Sequence, residues 1–293
     1  MIEVIAPGPY ATVQDLGRPG YAHLGVPRSG AADAPSLRLA NRLVGNPEGA
    51  AGIELTFGGA HLRLTTGAWV AVTGAPCPLE VRHSPGRGDG AVVPQGMCAP
   101  FWVPAGGRLR VGAPERGLRC YVAVRGGLDL PVTMGSRSTD SLSGLGPAPL
   151  RAGAVLPLGA TGGLAAITVD AAPQPLPPAG TALLRVLPGP RDDWFAPGAP
   201  ATLCAEPYEV SQDSNRVGLR MRGAPLERAR QDELPSEGMV AGAVQVPPSG
   251  QPIVFLADHP PTGGYPVVGV LTSADLAVAA QLRPGDRVRF RLA

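Results

Sequence analysis

The chain has 293 residues, enough for one large domain or two of ordinary size. Hydrophobic residues make up 44% and charged residues 16%, which favours a sizeable core and argues against disorder. The net charge of +2 gives no electrostatic sign of nucleic-acid or membrane binding. All 25 basic residues are arginine, which excludes a Schiff-base lysine, a lysine general base and a P-loop lysine in this sequence.

Cysteine spacing and the first residues favour a cytoplasmic protein. The 4 cysteines stand too far apart for a C-x-x-C metal or redox motif, so free thiols in a reducing compartment are expected. Residues 1–7 show no basic stretch leading into an apolar run, so no signal peptide is predicted. No apolar run is long enough to suggest a membrane span. The histidines are scattered without metal-ligand spacing, and no metal site is predicted.

Short segments of alternating polarity predict a mainly β protein. The sequence contains 41 glycines and 35 prolines, and most of the stretches between them are short. Alternation of this kind is typical of half-buried strands, and many such strands separated by turns indicate a barrel or a sandwich. The segments that alternate most clearly are residues 61–64, 69–72, 108–111, 121–124 and 287–292.

Two segments are predicted to be helices. The first spans residues 34–44, with Asp33 as N-cap and Gly45 just past its end. The second spans residues 274–282 and is capped by Ser273. One helix falls in each half of the sequence, which agrees with a duplicated β-rich unit.

A repeated phrase supports that duplication. Residues 14–20 and 212–218 both read Q-D-x-x-R-x-G, and such self-similarity indicates two related structural units. The Pro-rich stretch 171–180 is typical of a semi-rigid linker, because proline cannot occupy a central strand. We therefore predict a first domain over 1–170, a linker over 171–180 and a second domain over 181–293.

The densest group of candidate functional residues lies in the second half. It comprises the segment 233–238, Gln245 and the segment 258–266. Two glycines before Tyr265 permit close backbone approach to a ligand, and Asp258 with its neighbour His259 offers acid–base groups. The alternative interpretation is a tight hairpin whose polar side chains satisfy their own turn.

Two further segments could bind an anion. Ser29 and Gly30 precede the first helix, whose N-terminal N–H groups attract negative charge, although simple capping explains the same pattern. Arg137 lies in a loop of glycines and hydroxyl residues that suits a carboxylate or a phosphate, although a solvated loop would have the same composition.

Taken together, the sequence resembles the family of allophanate hydrolase subunit 2, also called the biotin-dependent carboxyltransferase family. This family includes subunits of 5-oxoprolinase and regulators such as the kinase-inhibitor antagonist KipA. The resemblance covers nearly the whole chain in the family's order. Its motifs are residues 12–18, 25–30, 41–46, Glu54, 135–137, 214–216, 236–238, 245–247 and 262–266.

The resemblance implies a mainly β fold of two tandem cyclophilin-like β-barrels. It also implies a subunit of an ATP-dependent 5-oxoprolinase, which opens 5-oxoproline to glutamate. The resemblance also implies two partners, a KipI-like protein and a third, ring-opening subunit. The KipI-like protein resembles the other half of the carboxyltransferase module and corresponds to the B subunit of 5-oxoprolinase. Two alternatives stay open: a carboxyltransferase that moves a carboxyl group from biotin on a separate carrier to urea or a similar amide, and a non-enzymatic regulator that binds a kinase inhibitor.

The predicted site follows from the resemblance together with the chemistry of the side chains. Either Glu237 or Asp258 is expected to be the acid–base group, and Arg137 or Arg216 to bind the substrate carboxylate. The remaining predicted substrate-binding residues are Ser236, Gln245, Thr262, Gly263, Gly264 and Tyr265. The sequence departs from the family pattern at Pro261 and Val267, where many relatives have a threonine and a basic residue. A mechanism that needs a cation directly after the Gly-Gly-Tyr-Pro turn is therefore in doubt.

Overall fold

A computed structural model describes residues 1–83 and 91–293, which form two compact units. The segments of unit 1 are Met1–Gly17, Asp33–Thr139 and Gly144–Pro177, and those of unit 2 are Arg18–Ala32, Asp140–Ser143 and Pro178–Ala293. The last boundary between the two units lies between Pro177 and Pro178, inside the Pro-rich stretch 171–180. Two short segments from the first half of the sequence therefore belong to unit 2. The domain bounds drawn from the sequence stay a prediction.

Unit 1 contains two antiparallel sheets. The six-stranded sheet has the order β11-β1-β4-β9-β6-β7, formed by Val155–Leu156, Ile2–Ala6, Ala60–Leu64, Arg108–Val111, Leu79–Arg82 and Val92–Gln95. The five-stranded sheet has the order β2-β3-β10-β5-β8, formed by Tyr10–Gln14, Gly52–Thr56, Arg119–Val124, Ala68–Gly74 and Pro100–Val103. The predicted strands at 61–64, 69–72, 108–111 and 121–124 are all confirmed.

Alternation in unit 1 reflects how many faces of each strand are covered. Strands β4 and β9 bury every second residue, because one face of their sheet meets solvent. All six residues of β10 are buried, since it pairs with β3 and β5 and is also covered by a helix. The apolar core of the unit is built mainly from valine, leucine and isoleucine side chains of the two sheets.

The helix α1, Ala34–Leu43, confirms the first predicted helix. Asp33 caps it, with its carboxylate accepting from the Ser36 N–H at 3.1 Å and from the Ser36 hydroxyl at 2.7 Å. The buried side of α1 packs on β5 and β10, where Ala40 and Leu43 contact Ala71 and Ala123. Full burial of a leucine side chain in such a contact stabilises the fold by about 1.5–3 kcal/mol.

Unit 2 contains a closed β-barrel of seven strands. In barrel order these are β12 (Ala182–Pro188), β19 (Val267–Leu271), β16 (Ala243–Gln245), β17 (Ile253–Phe255), β14 (Gly218–Arg222), β13 (Tyr208–Val210) and β20 (Arg287–Leu292). A parallel pairing of β12 with β20 closes the barrel. The mainly β class is thus confirmed, and the predicted strand at 287–292 is β20. Unit 1 forms two sheets over its described residues, so the second of the two predicted barrels is not confirmed.

Unit 2 holds two α-helices where the sequence predicted one. The predicted helix is α3, Ser273–Ala280, which begins after Thr272 rather than Ser273. The additional helix is α2, Ala199–Ala205. It has only seven residues and no side-chain cap, so its sequence carries almost none of the signals that mark longer helices. In the described ranges no α-helix exceeds the 10 residues of α1, and none is apolar and long enough for a bilayer, which needs about 20.

Candidate active site

Two segments singled out in the sequence meet in unit 2 as a small antiparallel ribbon. Its strands are β15, Glu237–Gly238, and β18, Thr262–Gly263. Glu237 pairs with Gly263, and Gly238 pairs with Thr262. The ribbon places a carboxylate directly opposite the Gly-Gly turn that precedes Tyr265.

Gln245 supports the ribbon from strand β16. Its Nε2 donates to the carbonyl oxygen of Tyr265 at 3.2 Å and lies 3.9 Å from the Met239 sulfur. A Cβ atom on Gly263 would lie only 2.7 Å from that Nε2 and 3.3 Å from Met239. An alanine at 263 would therefore push the Gln245 amide away from the backbone of the turn.

Three hydroxyl-bearing residues in the ribbon and next to it in sequence are exposed. Ser236, Thr262 and Tyr265 are exposed, and the exposed fraction of Tyr265 is 44%. Such groups can donate to or accept from a small polar ligand without first breaking a buried contact. The Gly264 backbone lies beside them and adds its own polar groups.

Glu237 forms an ion pair with Arg191, which precedes the 3-10 helix Asp192–Trp194. Both side chains are partly accessible, with exposed fractions of 25% and 38%. The hydrogen bond from Arg191 lowers the pKa of Glu237 below its ordinary value, while the partial burial of Glu237 opposes this change. Glu237 is therefore ionised at neutral pH and can serve as a base or as a fixed negative charge.

Asp258 is completely buried and has a partner on each carboxylate oxygen. Arg216 donates to both oxygens, from Nε at 2.9 Å and from Nη2 at 3.0 Å. The hydroxyl of Ser29 donates to Oδ1 at 2.7 Å. The backbone N–H and the hydroxyl of Ser141 donate to Oδ2 at 3.0 and 2.6 Å. These residues all belong to unit 2, and they join three segments that are distant in the sequence.

The charge of Asp258 is stabilised inside this network. Burial alone would raise the pKa of Asp258, but the charge and hydrogen bonds of Arg216 and the hydroxyls of Ser141 and Ser29 together hold it below its ordinary value. Arg216 also donates to the carbonyl oxygen of Gly30 at 2.6 Å. The Ser29-Gly30 segment, predicted from the sequence as a possible anion site, therefore contacts the Asp258–Arg216 ion pair of the protein itself.

His259 follows Asp258 and points to a different environment. Its ring stacks on Phe255 with centroids 6.0 Å apart, and its Nδ1 donates to the carbonyl oxygen of Pro260 at 2.8 Å. Burial lowers the pKa of His259, so the ring is neutral at pH 7. Its Nδ1 hydrogen bond braces the backbone that leads into β18.

Arg137 belongs to unit 1, where Asp15 organises its loop. Asp15 accepts from the hydroxyls of Ser136 and Ser138 at 2.6 and 2.5 Å and from the Arg137 N–H at 2.6 Å. The Arg137 side chain donates to the Leu130 carbonyl oxygen and forms an ion pair with Asp129 at 3.0 Å. The hydroxyl residues of this loop therefore bind an acidic side chain of unit 1.

Sequence patterns had not pointed to Arg191, Ser141 or Met239. Arg191 lies 46 residues from Glu237, and Ser141 lies 117 residues from Asp258. No local spacing links residues so far apart. In residues 1–83 and 91–293, no group of three or more histidine, cysteine or acidic side chains is arranged to hold a metal ion.

Comparison with known proteins assigns the chain to a protein family. Residues 24–292 match the family described as "Carboxyltransferase domain, subdomain A and B". The chain belongs to this family. Among curated relatives, the C subunit of 5-oxoprolinase from Escherichia coli (strain K12) is 38% identical over 99% of this chain and 90% of its own length. The urea amidolyase of Lachancea kluyveri is 33% identical over 98% of this chain but only 17% of its own length.

Solved structures agree with the family assignment. The crystal structure of TTHA0988 superposes with a TM-score of 0.85 at 36% identity, covering 99% of this chain. The Kluyveromyces lactis urea amidolyase superposes with a TM-score of 0.86 at 31% identity, also over 99% of this chain. This chain spans 55% of the TTHA0988 chain and 18% of the K. lactis chain.

Proposed function

We propose that this chain is the C subunit of a cytoplasmic, ATP-dependent 5-oxoprolinase. The observation that carries the proposal is the match to the corresponding E. coli protein, which covers 99% of this chain and 90% of the relative. Matches to urea amidolyases cover a much smaller share of those proteins. The proposed partners are a KipI-like protein that resembles the other carboxyltransferase half, and a separate ring-opening subunit.

The ribbon of β15 and β18 is the proposed binding site for 5-oxoproline. Its backbone groups suit a planar amide, and the hydroxyls of Thr262 and Tyr265 can orient that amide. Arg216 is only 3% exposed on its side chain and its charge is matched by Asp258, so Arg191 is the better cation for the substrate carboxylate. Arg137 belongs to unit 1 and is paired with Asp129, so its predicted role in carboxylate binding stays a prediction.

Glu237 and Asp258 have different proposed roles. Glu237 is ionised and accessible, so it can accept a proton from the substrate amide. Asp258 has no solvent exposure, and it fixes the backbone that leads into β18. We therefore assign acid–base work to Glu237 and a positioning role to Asp258.

Ring opening must be driven, because the amide is stabilised by resonance. ATP would supply that drive by phosphorylating the amide oxygen, which would make the carbon electrophilic. The residues around the ribbon do not suit a triphosphate, since Arg216 is enclosed, the sequence has no lysine, and the single charge of Arg191 cannot balance the several charges of a triphosphate. We therefore place ATP on a partner protein and expect no turnover by this chain alone.

Reconstitution tests the proposal directly. Glutamate release from 5-oxoproline is measured with ATP for the isolated chain, for its partners alone and for the complex. We expect turnover only in the complex, with Glu237→Gln lowering kcat by about 10²–10⁴-fold. Glu209→Gln is the matched control, because Glu209 is an exposed strand residue of the same unit. ATP-dependent turnover by the single chain contradicts the proposed division of labour.

Carboxyl transfer from biotin to urea is the second candidate function. It is favoured by the 33% identity to the L. kluyveri urea amidolyase. These 293 residues contain no lysine, so they cannot themselves carry covalently attached biotin. The same complex is supplied with carboxylated biotin carrier and urea in one assay, and with ATP and 5-oxoproline in another. Carboxylation of urea in the first assay without glutamate formation in the second favours carboxyl transfer.

A further inference from the structure

Three sulfur atoms cluster in unit 1, in a part of the fold that the proposed activity does not use. The Sγ atoms of Cys77 and Cys120 lie 3.7 Å apart. The sulfur of Met97 lies 3.6 Å from the Cys77 Sγ and accepts a hydrogen bond from the Cys77 N–H at 3.1 Å. Cys120 belongs to the central strand β10, whereas Cys77 lies in the connection between β5 and β6.

The two thiols differ in accessibility. Cys120 is completely buried, and its thiol also contacts the carbonyl oxygen of Ala75 at 3.2 Å. Cys77 is only partly buried, whereas Cys120 is enclosed. A partly buried cysteine beside an enclosed one suits the roles of an attacking and a resolving cysteine.

Their chemistry also differs. The hydrogen bond from the Cys120 thiol lowers the pKa of Cys77, because it stabilises the thiolate, while burial opposes this change. Burial raises the pKa of Cys98, another free cysteine of the same unit. Thiolate is the reactive form, so Cys77 is the more reactive of these two partly buried sulfurs.

We propose that Cys77 and Cys120 form a peroxide-sensitive dithiol that closes to a reversible intramolecular disulfide. The Cys77 thiolate attacks one oxygen of hydrogen peroxide, the O–O bond breaks, and protonation of the leaving hydroxide gives water and a sulfenic acid on Cys77. The Cys120 sulfur then attacks the Cys77 sulfur. The S–S bond forms, the S–OH bond breaks, and the leaving hydroxide takes the Cys120 proton to give a second water. Two thiols are oxidised by two electrons, and one peroxide is reduced to two waters.

Disulfide formation requires only a small shift of the Cys77 sulfur towards Cys120. Closing a contact of 3.7 Å to a disulfide bond of about 2.0 Å needs a shift below the size of one methyl group. Strand β10 is hydrogen-bonded on both edges, so the connection that carries Cys77 must supply the shift. The bond would tie this connection to the centre of the five-stranded sheet.

Intact-mass analysis of the full chain treated with hydrogen peroxide tests the proposal. We expect a loss of two hydrogen masses, which peptide mapping assigns to Cys77 and Cys120 and which dithiothreitol reverses. Cys77→Ser and Cys120→Ala should abolish the loss. Cys98→Ser and Cys204→Ser are matched controls that should retain it.

Three outcomes would contradict a disulfide between Cys77 and Cys120. Oxygen addition at Met97 or Cys77 without a crosslink, a crosslink through Cys98 or Cys204, or no reaction under conditions that oxidise free glutathione each overturns the proposal. Because Cys120→Ala leaves space in the core, its thermal unfolding is compared with wild type first. If that variant is unfolded, Cys77→Ser decides the question, since Cys77 is partly exposed and its replacement conserves size.

Discussion

Arg216 and Asp258 form a two-point ion pair inside unit 2, at 2.9 and 3.0 Å, with side-chain exposures of 3% and 0%. The pair lies where the chain turns from Asp258 towards β18. Ser29 and Ser141 complete the hydrogen bonds of the carboxylate. Removing one member of such a pair leaves an uncompensated charge in the interior, so the two residues act as one structural unit.

Removing one member of this pair should be far more costly than removing an exposed arginine. Arg216→Met leaves Asp258 buried without its cation, and we expect a loss of about 3–5 kcal/mol of unfolding free energy. The matched control is Arg222→Met, because Arg222 pairs with Asp213 at 3.7 Å with both side chains exposed. That change should cost no more than about 1 kcal/mol. The measurement is urea denaturation of wild type, Arg216→Met, Arg222→Met and the double variant with Arg216→Met and Asp258→Leu. Equal losses of unfolding free energy for the two single variants contradict a buried pair.

Stability should fall in acid because of Asp258. Its pKa is lower in the folded chain than in the unfolded chain, so the unfolded chain binds the proton first as pH falls. The stabilisation is therefore complete above the unfolded pKa, about 3.9, and is lost as pH falls through the folded value. The difference in unfolding free energy between wild type and Asp258→Asn should shrink below about pH 4. A difference that stays constant from pH 7 to pH 3 excludes this titration.

Local patterns predicted the parts of the fold that depend on nearby residues. The cap formed by Asp33 was recognisable because an N-cap and its helix are adjacent in sequence. Strand β20 was predicted because one of its faces is buried and the other meets solvent, so its residues alternate. The helix α2 was missed since its seven residues owe their conformation to packing in unit 2 more than to local signals.

Residues of the candidate site could be predicted from the sequence only where they belong to a recognisable motif. Glu237 and Gly263 stand in such motifs, and the structure pairs them across the β15–β18 ribbon. Arg191 has no motif, and it meets Glu237 because the path of the barrel brings them together. The sequence predicted Asp258 as a candidate acid–base group but could not predict its burial, which depends on residues more than 100 positions away, such as Ser141.

Substitution of Gly263 should disturb ligand binding more than folding. A Cβ at this position would lie 2.7 Å from the Gln245 amide and would displace it from the Tyr265 carbonyl. Gly263→Ala should therefore raise the KM for 5-oxoproline in the complex more than it lowers the melting temperature. Gly238→Ala is the matched control on the opposite strand, because nothing lies within 4 Å of its added methyl group. A KM for Gly263→Ala equal to that of wild type argues against a binding role for the ribbon.

Arg191 should set the acid limb of the activity profile through its contact with Glu237. If Glu237 must be ionised to accept a proton, activity is lost as pH falls through its pKa, which Arg191 lowers. Arg191→Met removes the hydrogen bond and the charge, so the pKa of Glu237 should rise towards its ordinary value of about 4.3 or above. The acid limb of kcat/KM for the complex should then move to higher pH, whereas Arg222→Met, a variant of an exposed arginine in the same unit, should leave it in place. Arg191→Met should also raise KM if the same guanidinium binds the substrate carboxylate. An unchanged acid limb in Arg191→Met would mean that another group titrates, and Glu237 would lose its proposed role as the base.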